Sequence, residues 1–183
     1  MTISMLNKEN TGLLIIDVQE KLIPVMGKKE RVVENINKLV HLSKLFDFPV
    51  ILTEQYPKWL GLTLPELVEI LPQYKPISKL HFNCCDEDAF NNRLESEDLT
   101  NIIITGVESH ICVFQTCLSI LERGYNVHVP QDAVDSRTEE NWHVGLDLMK
   151  QAGAVITSTE TVTYQILKKT GTEEFKKMLK IMR

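Results

Sequence analysis

The apolar positions of this chain fall into two alternating rhythms. Short, unbroken blocks rich in Leu, Ile and Val recur at Leu13–Ile16, Pro49–Thr53, Asn101–Thr105, Asn126–Pro130 and Ala154–Ser158. Such blocks suit strands buried on both faces, as in a parallel sheet. A weaker block, Lys75–Lys79, is a sixth strand candidate and ends on a lysine. Between the blocks, apolar residues return every three or four positions. From Lys29 to Phe46 the stripe Val32, Val33, Ile36, Leu39, Val40, Leu42 and Leu45 stands opposite Asn35, Lys38 and Lys44, which predicts an amphipathic helix. The same spacing predicts helices near Pro65–Leu71, Glu87–Glu95, Ser109 to Gly124, Glu139–Gln151, Thr161–Lys168 and Glu173–Met182, with Trp142, Leu146 and Met149 inward on Glu139–Gln151. Gly124 and Gly153 stand where helices are expected to stop.

Strands that alternate with helices predict an α/β fold: a doubly wound, six-stranded, mostly parallel sheet of order 3-2-1-4-5-6 with helices on both faces. No repeat, low-complexity tract or linker breaks the pattern, so residues 1–183 are expected to form a single domain. In this order the first and fourth strands are neighbours at the switch point, where ligands bind beyond the carboxyl ends. The first strand ends at Asp17 and the third at Lys79. The fourth breaks at Gly106 and leads into a helix with Cys112 in its first turn.

That placement carries chemistry. First-turn amides and the positive pole of a helix favour an anion, so the Cys112 thiolate is expected to form more easily than a free cysteine's pKa of about 8.5 implies. Ser109 is placed to cap the helix, leaving other amides for a developing oxyanion. Taken singly, each residue has a plainer reading: Cys112 as packing, Asp17 as a turn cap, Lys79 as a surface lysine. The readings of Asp17 and Lys79 require those two side chains to be solvated and far apart. Convergence of a thiol, a carboxylate and an ammonium in one crevice is the reading that predicts catalysis.

Composition removes several other classes. The chain is 43% hydrophobic and 25% charged with a net charge of −5, ordinary for a globular protein and unsuited to nucleic-acid binding through a basic surface. Lys168, Lys169, Lys176, Lys177, Lys180 and Arg183 are expected to form a solvated face of the last helix. Residues 1–11 lack the layout of a signal peptide, and no apolar run approaches the roughly 20 residues of a membrane span, so no membrane association and a cytoplasmic location are expected. Four cysteines, Cys84, Cys85, Cys112 and Cys117, are expected to stay reduced. The five histidines show no metal-ligand spacing, and no G-x-G-x-x-G, Walker-type or G-x-S-x-G sequence occurs, so neither a metal nor another cofactor is expected.

Several segments in order and spacing carry a resemblance. They are Leu14-Ile15-Ile16-Asp17-Val18-Gln19, Lys79 followed by Phe82, Gly106-Val107-Glu108-Ser109-His110-Ile111-Cys112-Val113 with Thr116, and Asp132-Ala133-Val134 with Ser136-Arg137. Together they resemble the isochorismatase-like cysteine hydrolases over about residues 11–168. The Thr53-Glu54-Gln55-Tyr56-Pro57 loop with Leu60-Gly61 is further similar to the subgroup of isochorismatase domain-containing proteins. The resemblance implies a triad in which Cys112 attacks a carbonyl, Asp17 exchanges the proton and Lys79 keeps the other two ionised. It also implies a cis Val107–Glu108 peptide that aims the Glu108 amide, with that of Cys112, at the oxyanion. Gln19, Tyr56, Trp59, Phe82 and His110 are the candidates to line the substrate pocket. The metal-binding members carry an Asp-x-His motif where this chain has Glu54-Gln55-Tyr56, so a metal site is not expected. The implied partners are a small-molecule substrate and further copies of the chain in a homo-oligomer. An amide-type C–N bond is the expected target; a thioester or other acyl group, or a low-activity oligomeric binding scaffold, are the alternatives.

Overall fold

Every residue of one strand, Thr11–Ile16, is buried, and the sheet is built outward from it. The computed structural model describes residues 4–182. Its strands are β1 (Thr11–Ile16), β2 (Val50–Gln55), β3 (Ile77–Lys79), β4 (Asn101–Val107), β5 (Asn126–Pro130), β6 (Val134–Asp135) and β7 (Val155–Thr157). Its helices are α1 (Lys29–Phe46), α2 (Pro57–Leu60), α3 (Pro65–Val68), α4 (Asp88–Glu95), α5 (Phe114–Glu122), α6 (Glu139–Ala152), α7 (Thr159–Leu167) and α8 (Glu173–Ile181). The strands pair in the order β3-β2-β1-β4-β5-β7, all parallel, which is the expected doubly wound order with β7 as the sixth strand. β6 is an addition: two residues beside the carboxyl end of β4, too short to leave a periodic signal.

Alternation along β1 explains why both faces need helices. Leu13 and Ile15 enter a core shared with Ile36, Leu39 and Val40 of α1, Val162 and Ile166 of α7 and Met178 of α8. Leu14 and Ile16 enter the opposite core with Phe90 of α4, Cys117 and Ile120 of α5 and Trp142, Leu146 and Met149 of α6. A period of two with apolar residues at both phases can be buried only between two helical layers.

The ends of the elements differ from expectation in instructive ways. β4 does not stop at Gly106 but runs to Val107, because the Gly106 amide donates to the Ala133 carbonyl (3.0 Å) and β6 takes up the pairing. β2 continues two residues beyond Thr53, with Glu54 and Gln55 paired to Ser78 and Lys79. β3 begins only at Ile77, after Pro76, whose nitrogen has no proton for the ladder.

Candidate active site

At the carboxyl end of β1 the backbone of Asp17 turns into the left-handed region (φ 55°), which short Asp side chains tolerate better than most. Beside it, Gly106 of β4 pairs with Ile16. A Cβ at position 106 would lie 2.0 Å from the Ile16 carbonyl oxygen, and its φ of 108° is open mainly to glycine. Glycine is therefore what lets β4 press against β1 where the carboxylate emerges. Thr53 of β2 donates its hydroxyl to Asp17 Oδ1 (2.8 Å), fixing the carboxylate from the other side.

Lys79 closes β3 and is only 1% exposed. Its Nζ lies 2.8 Å from Asp17 Oδ2 and also reaches Gln55 Oε1 (2.5 Å) and the carbonyls of His81 (3.2 Å) and Phe82 (3.3 Å). A buried lysine costs several kcal/mol in desolvation unless it is paired and hydrogen-bonded, and here both conditions are met. The plainer readings of Asp17 and Lys79 required solvated, separated side chains; the structure places them buried and in contact.

The third element is a π-helical turn, Ser109–Val113, that feeds α5. The Glu108 carbonyl accepts from the amides of Ile111 (3.1 Å) and Val113 (3.2 Å), skipping Cys112 between them. The Val107–Glu108 peptide is cis. Ser109 does not cap the helix as expected: no side chain caps this turn, and the Ser109 hydroxyl instead meets Ser136 Oγ (2.7 Å). Glu108 Oε2 accepts from the Arg137 amide (3.1 Å) and its Nε (3.0 Å), tying the turn to the segment after β6. From outside, Gly145 of α6 packs so closely that a Cβ there would lie 2.6 Å from the carbonyl carbon and oxygen of Ser109.

Cys112 is 7% exposed and lies close enough to Asp17 for the two side chains to shift each other's titration. This reverses the expectation of an easily formed thiolate. Burial, then the neighbouring Asp17 negative charge, push the thiol well above the ordinary cysteine value, with Lys79 opposing. The carboxyl of Asp17 is raised by burial and drawn back by Lys79, Thr53 and Cys112. Burial works against the charge on Lys79, but Asp17, Cys84 and Cys112 hold its pKa up, and the net direction is upward. The resting state these directions describe is a neutral thiol beside a carboxylate that is itself paired to an ammonium.

The remaining candidates separate. Gln19 is fully buried, and its side-chain amide is taken by the Gln55 amide (2.8 Å), the Gln55 carbonyl (3.0 Å) and the Gly61 carbonyl (2.7 Å), so it is a clasp for the loop after β2 and not a pocket wall. Tyr56, Trp59 of α2 and Phe82 are exposed apolar residues on the segments that follow β2 and β3, joined by Leu62 and Leu80. His110 is half-buried with Nδ1 2.9 Å from Ser136 Oγ. Thr53, Gln55 and Ser136 stand in the motifs that carry the resemblance but have no role assigned from the sequence, and Gly145 has no sequence signal; polar residues at the carboxyl end of an otherwise apolar strand were the available signal for the first two. Cys84 is buried next to the centre, with its amide on Thr116 Oγ1 (3.0 Å) and its thiol pushed up to about 12 by burial and Asp17. Among the described residues no cluster of His, Cys, Asp and Glu is arranged to hold a metal. A groove of about 750 Å3 between α6 and β7, lined by residues such as Tyr125, Leu146, Lys150 and Ile156, includes none of the residues around Cys112.

Comparison with known proteins gives a consistent picture. Residues 11–161 match the family model described as "Isochorismatase domain". Isochorismatase family protein 1A of Dictyostelium discoideum is 37% identical over 175 residues, covering 93% of this chain and 85% of the relative. The solved structure titled MAR1 ribonuclease from Caenorhabditis elegans is 34% identical with a TM-score of 0.91, covering 98% of this chain and 92% of that one. The YcaC gene product of Escherichia coli, described as an octameric hydrolase of unknown specificity, is 25% identical with a TM-score of 0.92, covering 99% of this chain and 92% of that one.

Proposed function

The chain belongs to the isochorismatase-domain family of hydrolases, and from that premise we propose that it is a metal-independent cysteine hydrolase of small molecules that cleaves an amide-type C–N bond through a thioester on Cys112. The observation that carries this reading is the closeness of the Cys112 thiol to the buried Asp17–Lys79 ion pair, near enough for the three groups to shift one another's titration.

Roles follow from that closeness. Asp17, kept as a carboxylate by Lys79, takes the proton of Cys112 as Sγ forms a bond to the substrate carbonyl carbon. The electron pair of the C=O bond moves onto oxygen, where the amides of Glu108 and Cys112 receive it. Asp17 then delivers its proton to the departing nitrogen, the C–N bond breaks and a thioester remains. Water, deprotonated by Asp17, attacks the thioester; the acid leaves and the proton returns to sulfur. Lys79 has no open side for a substrate, because Asp17, Gln55 and two carbonyls surround its Nζ, so it acts through Asp17. A thiol that is neutral at rest fits a nucleophile unmasked only when substrate completes the site.

Glu54 supports the metal-free reading: its Oε1 already accepts from the Thr63 amide, the Thr63 hydroxyl and the Tyr74 hydroxyl. No helix among the described residues is long and apolar enough to cross a membrane, and the four free cysteines suit the cytoplasm. The octameric relative and the exposed rim of Trp59, Leu62, Leu80 and Phe82 support a homo-oligomer. A second reading, RNA cleavage, is suggested by the name of the nematode neighbour; the net charge of −5 and the enclosure of Lys79 by Asp17, Gln55 and two carbonyls weigh against phosphate binding at Cys112. A screen of small amides with ammonia release as readout tests the proposal. Release by the native protein and none by Cys112→Ala is expected; release that survives Cys112→Ala, or RNA cleavage in place of amide turnover, would replace it.

A further inference from the structure

One hydrogen-bond arrangement beside Cys112 has no part in the mechanism above. Ser136, fully buried after β6, holds its Oγ 2.7 Å from Ser109 Oγ and 2.9 Å from His110 Nδ1. Each hydroxyl has one proton to donate. Ser109 is also fully buried, and among the described residues its hydroxyl meets only Ser136, so its proton must go there. The opposite direction would leave a buried O–H without an acceptor, which costs more than an unfilled lone pair on an oxygen that already donates. The Ser136 proton then goes to His110 Nδ1, which has to accept it. In a neutral imidazole the remaining proton therefore sits on Nε2.

We infer that Ser109 and Ser136 lock His110 as the Nε2–H tautomer, and that His110 is a specificity-determining donor for a second hydrogen-bond acceptor on the substrate. This rests on the hydrolase reading. His110 lies two residues before Cys112 in the same turn, and the residue is partly exposed while its Nδ1 edge is tied to buried Ser136, so Nε2 is the edge left for a ligand. A donor fixed in that turn favours amides that carry a further carbonyl or carboxylate oxygen over simple aliphatic amides.

Two measurements decide the matter. In long-range proton–nitrogen correlation spectra of the labelled protein at pH 8, the His110 ring, assigned by its loss in His110→Gln, is expected to show a protonated Nε2 and a bare Nδ1; a protonated Nδ1 overturns the lock. Labelling of Cys112 by acrylamide and by N-acryloylglycine, which adds a carboxylate, is followed by intact mass. N-acryloylglycine is expected to half-saturate at about tenfold lower concentration, a preference lost in His110→Leu and restored in His110→Gln, whose amide N–H replaces that of the ring. Equal half-saturation in the native protein, or a preference that survives His110→Leu, overturns the donor role alone. A native Cys112 that neither probe labels overturns the hydrolase reading and the donor role with it.

Discussion

The two halves of the site are built on opposite principles. On the β1–β2–β3 side, Asp17, Lys79, Gln19 and Gln55 form a polar network with almost no exposure, in which each side chain is held by at least one other strand or loop. On the β4 side, the turn Ser109–Val113 makes few polar contacts of its own and is held from outside by Ser136, Arg137 and the bare face of Gly145. The first half holds charge in place by electrostatics; the second places a sulfur and two amides by shape. The difference teaches that failure should look different on the two sides: loss of folding free energy on the first, loss of geometry on the second.

The largest effect should come from removing one charge of the network. Lys79→Met leaves the Asp17 carboxylate buried without its cation and should cost about 3–5 kcal/mol of stability, read by urea unfolding, besides abolishing turnover. A loss under about 1 kcal/mol would mean that the network is not ionised. Gly145→Ala attacks the other half. Its Cβ meets the Ser109 carbonyl carbon and oxygen at 2.6 Å and the His110 nitrogen at 2.8 Å, so the turn must shift. The stability cost should be about 1–3 kcal/mol, with kcat lowered more than KM is raised if, as proposed, the amides of this turn receive the oxyanion.

How much of this was legible beforehand depended on the range of the forces involved. The bounds of α1 and β5 match the periodic reading residue for residue, since an amphipathic stripe or an apolar block is a local signal. Asp17, Lys79 and Cys112 were legible as strand-end and turn residues because strand order places them together. What was not legible depends on neighbours distant in sequence. The raised Cys112 thiol follows from burial against Asp17, the capture of Ser109 from Ser136, and the inward turn of Gln19 from the Gln55 backbone. The π turn itself needs α6 pressed against it, which no local pattern announces.

A smaller effect separates the network from general acid sensitivity. His128 of β5 is fully buried and its pKa is lowered by burial, so the folded protein resists the proton that the unfolded chain accepts near pH 6.5. Its contribution is complete above that pH and is lost as pH falls toward the folded value, at up to about 1.4 kcal/mol per pH unit. Urea midpoints at pH 7.5 and 5.5 should therefore lie closer together in His128→Phe than in the native protein; an unchanged gap would place the acid sensitivity elsewhere. The smallest effect belongs to the rim of the turn. The Arg137 side chain is 58% exposed, so Arg137→Ala should cost less than about 1 kcal/mol and lower turnover only modestly.

The central claim is that Cys112, with Asp17 as its base, takes up an acyl group. Brief exposure to p-nitrophenyl acetate followed by peptide mass mapping tests it most directly. The account predicts one acetyl group on the Cys112 peptide, formed more slowly in Asp17→Asn and absent in Cys112→Ala. Acetylation of Cys84, Cys85 or Cys117 in place of Cys112, or equal labelling of the native protein and Cys112→Ala, would contradict it.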